Sequence, residues 1–292
     1  MTTFLPLFRS LRPEQWVKNV VIFAGVIFAQ KFFYPDYLLK TTCAFILFSL
    51  TSGVVYIFND IIDLERDKNH PVKKFRPLAR GELKIWQAAL FGGNLLLFCL
   101  ILSFLLSQNF FFVVIWYLLL QMLYTISLKK IVILDVFAIA CGFVLRVIAG
   151  AQVINIPISS WLLICTMLLA LFLALTKRRH ELILLNNNSG FHREILKEYS
   201  VSLLDQMIIL VATATVLTYI LYTMAQETVE KFSTDNLKYT IPFVLYGIFR
   251  YLYLIHQKGQ GGRPEKVLLS DVPLLINIFL YGLIVLFILY TH

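Results

Sequence analysis

Residues 56–81 read YIFNDIIDLERDKNHPVKKFRPLARG, and their acids and bases are spaced for chemistry. If 59–67 continues a helix from the apolar run before it, a turn of about 100° per residue brings Asp60, Asp63 and Asp67 within about 60° of one another. Three carboxylates on one face repel, and a hard divalent cation held by oxygen ligands relieves the repulsion. The expected occupant is Mg2+, held by Asp60, Asp63 and Asp67 with help from Asn59 and bridging a phosphorylated substrate. Tyr56, one turn before Asn59, can lie over that metal. Lys73, Lys74, Arg76 and Arg80 follow directly, cations suited to phosphate oxygens. The plainer alternative is a solvated acidic-then-basic loop. Its place at the end of a long apolar run favours function.

Further candidates lie at the ends of other apolar runs. Lys177, Arg178 and Arg179 are adjacent, and Glu181 falls one helical turn after Lys177, where it would orient that lysine. A phosphate clamp is one reading, and a set of membrane-end anchors is the other. In LKKIVILDVFAIACGFVLR, Asp135 and Arg146 share a helical face but stand about 16 Å apart along it, too far to pair. Each therefore needs another partner. Arg146 should face a protein interior, holding an anionic lipid head or a buried carboxylate, with Asp205 and Asp271 as candidates. Arg12, Gln15, Trp16, Lys18 and Asn19 crowd the mouth of the first apolar run, where Lys18 and Asn19 make sense lining a cavity. Tyr124, Ser127, Lys129 and Lys130 close the fourth run. The five histidines (His70, His180, His192, His256, His292) form no metal-spaced pair, no Ser-His-Asp order is present, and GQGGRPEK is no phosphate loop.

These residues must be positioned by membrane helices. The 292 residues are 59% apolar and only 15% charged, with a mean hydropathy of +0.77, which a water-soluble domain does not reach. Nine continuous apolar stretches are each near the length that crosses a hydrocarbon core: 17–34, 38–58, 84–106, 109–127, 132–152, 159–176, 203–225, 238–256 and 271–290. None shows the alternation of a barrel strand. The expectation is an all-α membrane protein. It is a single polytopic domain over 1–292, with a short interfacial helix at about 3–13 followed by nine transmembrane helices. No cleavable signal peptide is expected from MTTFLPLFRSLRPEQWVKN, which lacks an uninterrupted apolar core and cleavage site.

Orientation follows from the cations. Alternate connections collect twenty Lys and Arg on one side and four on the other, placing the amino terminus and the Asp-rich loop in the cytoplasm and the carboxyl terminus outside. The long polar loops at 59–83, 177–202 and 257–270 fall on that inner side, so a site for a charged soluble substrate opens there. The net charge of +9 thus reports orientation, and no nucleic-acid partner is expected. Four cysteines scattered through apolar runs give neither disulfides nor zinc. Extended apolar faces leave a homo-oligomer open, with no small-xxx-small seam to direct it.

With Asn59, Asp60, Asp63 and Asp67 forming NDxxDxxxD after the second run, the chain resembles the UbiA-type intramembrane prenyltransferase superfamily over essentially its whole length. Within it, RPEQWVKN, the 63–81 loop, LDVFAIACGFVLRVIAGA and KRRHEL resemble the branch of decaprenyl-phosphate phosphoribosyltransferases. The resemblance implies a nine-helix UbiA-like bundle with a cytoplasm-facing active-site cavity, and Mg2+ and pyrophosphate at the first motif. It also implies transfer of phosphoribose from phosphoribosyl pyrophosphate to a polyprenyl phosphate at the inner membrane. Aromatic prenyltransferases of the superfamily carry a second Asp-rich motif where this chain has Lys177, Arg178, Arg179 and Glu181. That cationic replacement suits a donor with an additional phosphate. On this reading the 73–80 and 177–179 cations divide the donor's phosphates, while Lys18 and Arg146 hold the acceptor phosphate. The rivals are prenyl transfer from an isoprenoid diphosphate to an aromatic acceptor, and an ion carrier entered through the acidic loop.

Overall fold

The computed structural model of the chain describes residues 4–69, 72–187, 194–262 and 264–291. His70, His192 and His292, and the charge-count residues Arg193 and Arg263, lie outside these. The described residues form thirteen α-helices joined by short 3-10 segments. They are α1 (Phe4–Ser10), α2 (Phe23–Phe28), α3 (Pro35–Ile62), α4 (Leu64–Lys68), α5 (Ile85–Leu106), α6 (Gln108–Ile126), α7 (Leu134–Gln152), α8 (Ser160–Asn187), α9 (Val201–Met224), α10 (Gln226–Phe232), α11 (Ile241–Gln257), α12 (Pro264–Ser270) and α13 (Val272–Tyr290). Seven of them, α3, α5–α9 and α13, are long and apolar enough to cross a membrane. Side-chain oxygens mark several starts: Ser107, Ser200 and Asp271 accept from the backbone N–H three residues on, opening α6, α9 and α13.

The chain divides into two compact units, Met1–Ser127 with Leu145–Pro157, and Leu128–Val144 with Ile158–His292. Helix α7 runs through the division, giving its opening turns to the second unit and its closing turns to the first.

In the first unit α3 packs on α5 and α6 around a core that includes Phe48, Cys99, Phe110, Val114 and Ala149. The first apolar stretch departs from the expected helix over 17–34. It is a 3-10 helix from Pro13 to Ile22 followed by the short α2, and it stops at Gln30 in a left-handed conformation (φ 56°). The cause is a close backbone crossing. A Cβ on Gly150 would lie 1.8 Å from the Ile22 carbonyl oxygen, and one on Gly25 would lie 2.8 Å from the Ala151 nitrogen. The glycines let this strip lie directly on the end of α7, and the narrower 3-10 winding fits there.

The second unit packs α8 on α9 and α11 on α13, around Phe172, Leu175, Leu196, Leu204, Ile208, Tyr251 and Leu254. Outward faces of both units are apolar, with Phe98, Phe112, Trp116, Leu210, Phe249 and Phe279 all exposed. Hydrocarbon is the solvent such faces suit.

Candidate active site

Asp60 stands in the last turn of α3, which ends at Ile62. Asp63 occupies the junction, its N–H bonded to the Asn59 carbonyl at 2.9 Å, and α4 then carries Asp67, whose N–H returns to the Asp63 carbonyl at 2.9 Å. The helical path thus continues through a one-residue break. Asp60 and Asp67 are each 2% exposed, while Asp63 is half-buried.

Two arginines reach the buried acids. Arg76 Nη1 donates to Asp60 Oδ1 at 3.0 Å and also pairs with Asp67 Oδ2. Arg12 Nη2 pairs with the same Asp60 Oδ1 and its guanidinium lies 4.7 Å above the Tyr56 ring. Lys73 Nζ is 3.9 Å from Asp67 Oδ1. Burial pulls the Arg12 pKa below its usual value, with Asp60 opposing. Local sequence explains the placement. Leu78 and Leu83 anchor the loop in a buried cluster with Leu11, Ile57 and Ala88, and Arg76 is extended (φ −67°, ψ 146°) as a residue before proline must be. On α3, Gly53 leaves a notch: a Cβ there would meet Leu11 Cδ2 at 2.9 Å. Asp60 follows Gly53 by two turns on the same face, so seating Leu11 delivers Arg12 to Asp60.

In this arrangement protein cations stand at the acids expected to hold the metal. Among the described residues no three of His, Cys, Asp or Glu close into a metal-binding group. The cation between the acids is a guanidinium, shared by Asp60 and Asp67. Asn59, expected beside the acids, has its side-chain oxygen engaged by Thr125 Oγ1 at 2.9 Å, which ties it to α6. A divalent ion still fits. Arg76 is a stand-in cation between two oxygen donors, and Mg2+ is usually held by one or two carboxylates completed by substrate phosphates.

The remaining first-unit candidates separate by depth. Lys74 and Arg80 are exposed on the loop, Arg80 paired with Glu82 at 3.0 Å. Lys18 and Tyr124 are half-buried. Asn19 is 1% exposed; its amide nitrogen donates to Ser49 at 3.0 Å and its oxygen accepts from Arg146 Nε at 2.6 Å. Arg146 also donates to the Tyr117 hydroxyl at 3.2 Å and lies over the Phe48 and Tyr117 rings. The two carboxylates that were candidates for it have arginines of their own: Asp205 pairs with Arg179, and Asp271 with Arg250 at 2.9 Å.

In the second unit the expected clamp is rebuilt as a network. Arg178, 1% exposed, donates from Nε to Asp135 Oδ2 and from Nη1 to Glu181 Oε2, both at 2.6 Å. The Tyr199 hydroxyl donates to Asp135 Oδ1 at 2.8 Å and accepts the Ile133 N–H at 2.7 Å. Burial pushes the Tyr199 phenol up to about 12, so it remains a donor. Arg178 and Arg179 are thus committed to protein carboxylates. Lys177, 4.0 Å from Glu181, and Lys129, in the turn before α7, are half-buried. Sequence reasoning did not assign Arg12, Thr125 or Tyr199. Only Arg12 carried a signal, as the first residue of RPEQWVKN.

The architecture is that of an all-helical, multi-pass membrane protein with an ion-paired acid motif at a helix end. The chain belongs to the UbiA prenyltransferase family, whose sequence profile matches residues 19–180. It is similar to decaprenyl-phosphate phosphoribosyltransferase of Mycolicibacterium smegmatis, at 34% identity over 91% of this chain and 86% of the relative. To the protein of the same name from Corynebacterium glutamicum it is 31% identical, over 91% and 81%. Among solved structures, the UbiA homologue of Archaeoglobus fulgidus bound to DMAPP and Mg2+ superposes with a TM-score of 0.70 at 16% identity, covering 97% of this chain and 96% of that one. A digeranylgeranylglyceryl phosphate synthase gives 0.62 at 17% identity, over 99% and 96%. At those identities the superpositions define the fold.

Proposed function

We propose that the protein transfers 5-phosphoribose from phosphoribosyl pyrophosphate to a decaprenyl-type polyprenyl phosphate and releases pyrophosphate. What carries the reading is likeness over 91% of the chain to relatives named for decaprenyl-phosphate phosphoribosyl transfer. The two buried acids and their arginines at the end of a membrane helix support it.

Asp60 and Asp67, with Asp63 beside them, would hold Mg2+, which neutralises charge building on the departing pyrophosphate. Arg12, Arg76 and Lys73 stand at those acids, and Lys74 and Arg80 extend the cationic surface along the loop for the donor's phosphates. As pyrophosphate leaves, ribose C1 becomes oxocarbenium-like and an oxygen of the lipid phosphate attacks its opposite face. That oxygen is ionised near neutral pH, so no general base is needed. Lys18 and Tyr124 are assigned to substrate. Arg146 acts through Asn19 as a positioning residue. In the second unit Lys177 and Lys129 are the cations assigned to phosphate, with Arg178 holding the helix end that carries Lys177.

The same proposal includes nine membrane crossings in one polytopic domain, with a cavity open to the cytoplasm and the carboxyl terminus outside, in the inner membrane. Lengths support the two crossings beyond the seven long helices. The 3-10 segment and α2 together rise about 29 Å, and α11 rises about 26 Å, against a core of about 30 Å. The twenty-to-four split of cations supports the orientation.

The test supplies radiolabelled phosphoribosyl pyrophosphate with polyprenyl phosphate and, in parallel, labelled prenyl diphosphate with 4-hydroxybenzoate. Label should enter the lipid fraction in the first assay. Product in the second alone would reverse the assignment in favour of prenyl transfer.

A further inference from the structure

The carboxylate side chains of Asp60 and Asp67 are each only 3% exposed, and what covers them is positive. Asp60 is met by Arg12 and Arg76, and Asp67 by Arg76 and Lys73. The two buried carboxylates are therefore already met by two guanidiniums and the Lys73 ammonium. A divalent cation added to this site alone would leave a buried excess of positive charge, at high cost in a low-dielectric setting. The same cation arriving with a diphosphate meets no such obstacle, because the guanidiniums can leave the carboxylates for phosphate oxygens, which their forked donors match equally well.

Both arginines are built for such a handover. Their side chains retain 20% and 25% exposure while the acids retain almost none, so the arginines form the accessible layer. Arg12 sits in a left-handed conformation (φ 53°, ψ 65°), uncommon for a residue with a side chain. The face of Tyr56 at 4.7 Å gives its guanidinium a second support, independent of Asp60.

We infer that Arg12 and Arg76 are placeholders for the metal, making divalent-cation binding and diphosphate binding mutually dependent. The inference rests on the phosphoribosyl-transfer reading for the presence of a metal and a diphosphate, and it adds the coupling between them. By linkage the dependence is reciprocal: diphosphate strengthens metal binding by the same factor as metal strengthens diphosphate binding.

The experiment measures Mn2+ binding by electron paramagnetic resonance on the full-length protein in nanodiscs, with and without a diphosphate probe. That probe is methylenediphosphonate, titrated so that its own Mn2+ complex is accounted for. In the wild type, Mn2+ alone should bind weakly and the diphosphonate should tighten it by about tenfold or more. In Arg76→Gln and Arg12→Gln, Mn2+ alone should bind about tenfold more tightly and the increment from diphosphonate should shrink. Wild-type Mn2+ affinity that is indifferent to diphosphonate, or unchanged by both substitutions, overturns the inference. Should the glutamine variants not fold, Arg76→Lys and Arg12→Lys carry the test. They keep the charge and lose the fork, so the increment should fall, and an increment equal to wild type overturns the inference. Transfer of label from phosphoribosyl pyrophosphate, assayed on the same preparation, keeps the two ideas apart. Transfer without linkage removes only the placeholder role, and linkage without transfer removes only the choice of substrate.

Discussion

Arg178 donates to Asp135 across 43 positions of sequence at 2.6 Å, joining the start of α7 to the later turns of α8 inside one unit, with the two side chains 1% and 0% exposed. Such a pair contributes little beyond what well-packed apolar residues would, but breaking it strands a charge. Arg178→Met should therefore destabilise the protein by about 3–5 kcal/mol. The double change Arg178→Met with Asp135→Leu should recover a substantial part. Thermal unfolding in detergent checks this, and a single variant as stable as wild type would show that the pair is not holding the helix end.

A Cβ on Gly150 would sit 1.8 Å from the Ile22 carbonyl oxygen, and backbone cannot rotate away as a side chain can. Gly150→Ala should cost at least about 1–3 kcal/mol. At Gly93 on α5 an added Cβ would have nothing within 4 Å, so Gly93→Ala should instead gain about 0.5–1 kcal/mol from helix propensity. Opposite signs in the melting midpoints are the expected result.

Asp60→Asn and Asp67→Asn should each lower phosphoribosyl transfer by about a hundredfold or more while the protein stays folded by circular dichroism. Chelation with EDTA should abolish turnover, and added Mg2+ should restore it. Activity that survives both treatments would remove the metal from the proposed reaction.

The hydrogen bond from Arg250 holds the Asp271 carboxyl below its ordinary value of 3.8, helped by the Leu274 N–H. A depressed acid contributes stability that is present above the unfolded value and lost as pH falls through the folded one. The melting midpoint of wild type relative to Asp271→Asn should thus be constant near neutrality and shrink below about pH 4. A difference that does not change across that range would show that the pair does not set the titration.

How much was legible depended on the range of the interaction. The acid motif, the long apolar helices and the need for Arg146 to turn inward all follow from spacing and hydropathy, which are local. The partners do not. Arg146 reaches Asn19 across 127 positions and Arg12 reaches Asp60 across 48, and nothing near either residue in the chain names the other. That acids crowded on one face need positive charge does follow from their spacing; that the Arg12 guanidinium, 48 positions away, joins the nearby Arg76 in supplying it at Asp60 does not. The 3-10 winding of the first apolar stretch was equally out of reach, since its cause is Gly150 on a later helix.

The seat that Gly53 makes for Leu11 is a clasp: it ties the leading segment to α3 and so fixes where the Arg12 guanidinium falls against Asp60. A methyl group placed in that notch would unfasten the clasp and displace a cation of the site without altering any residue that touches it.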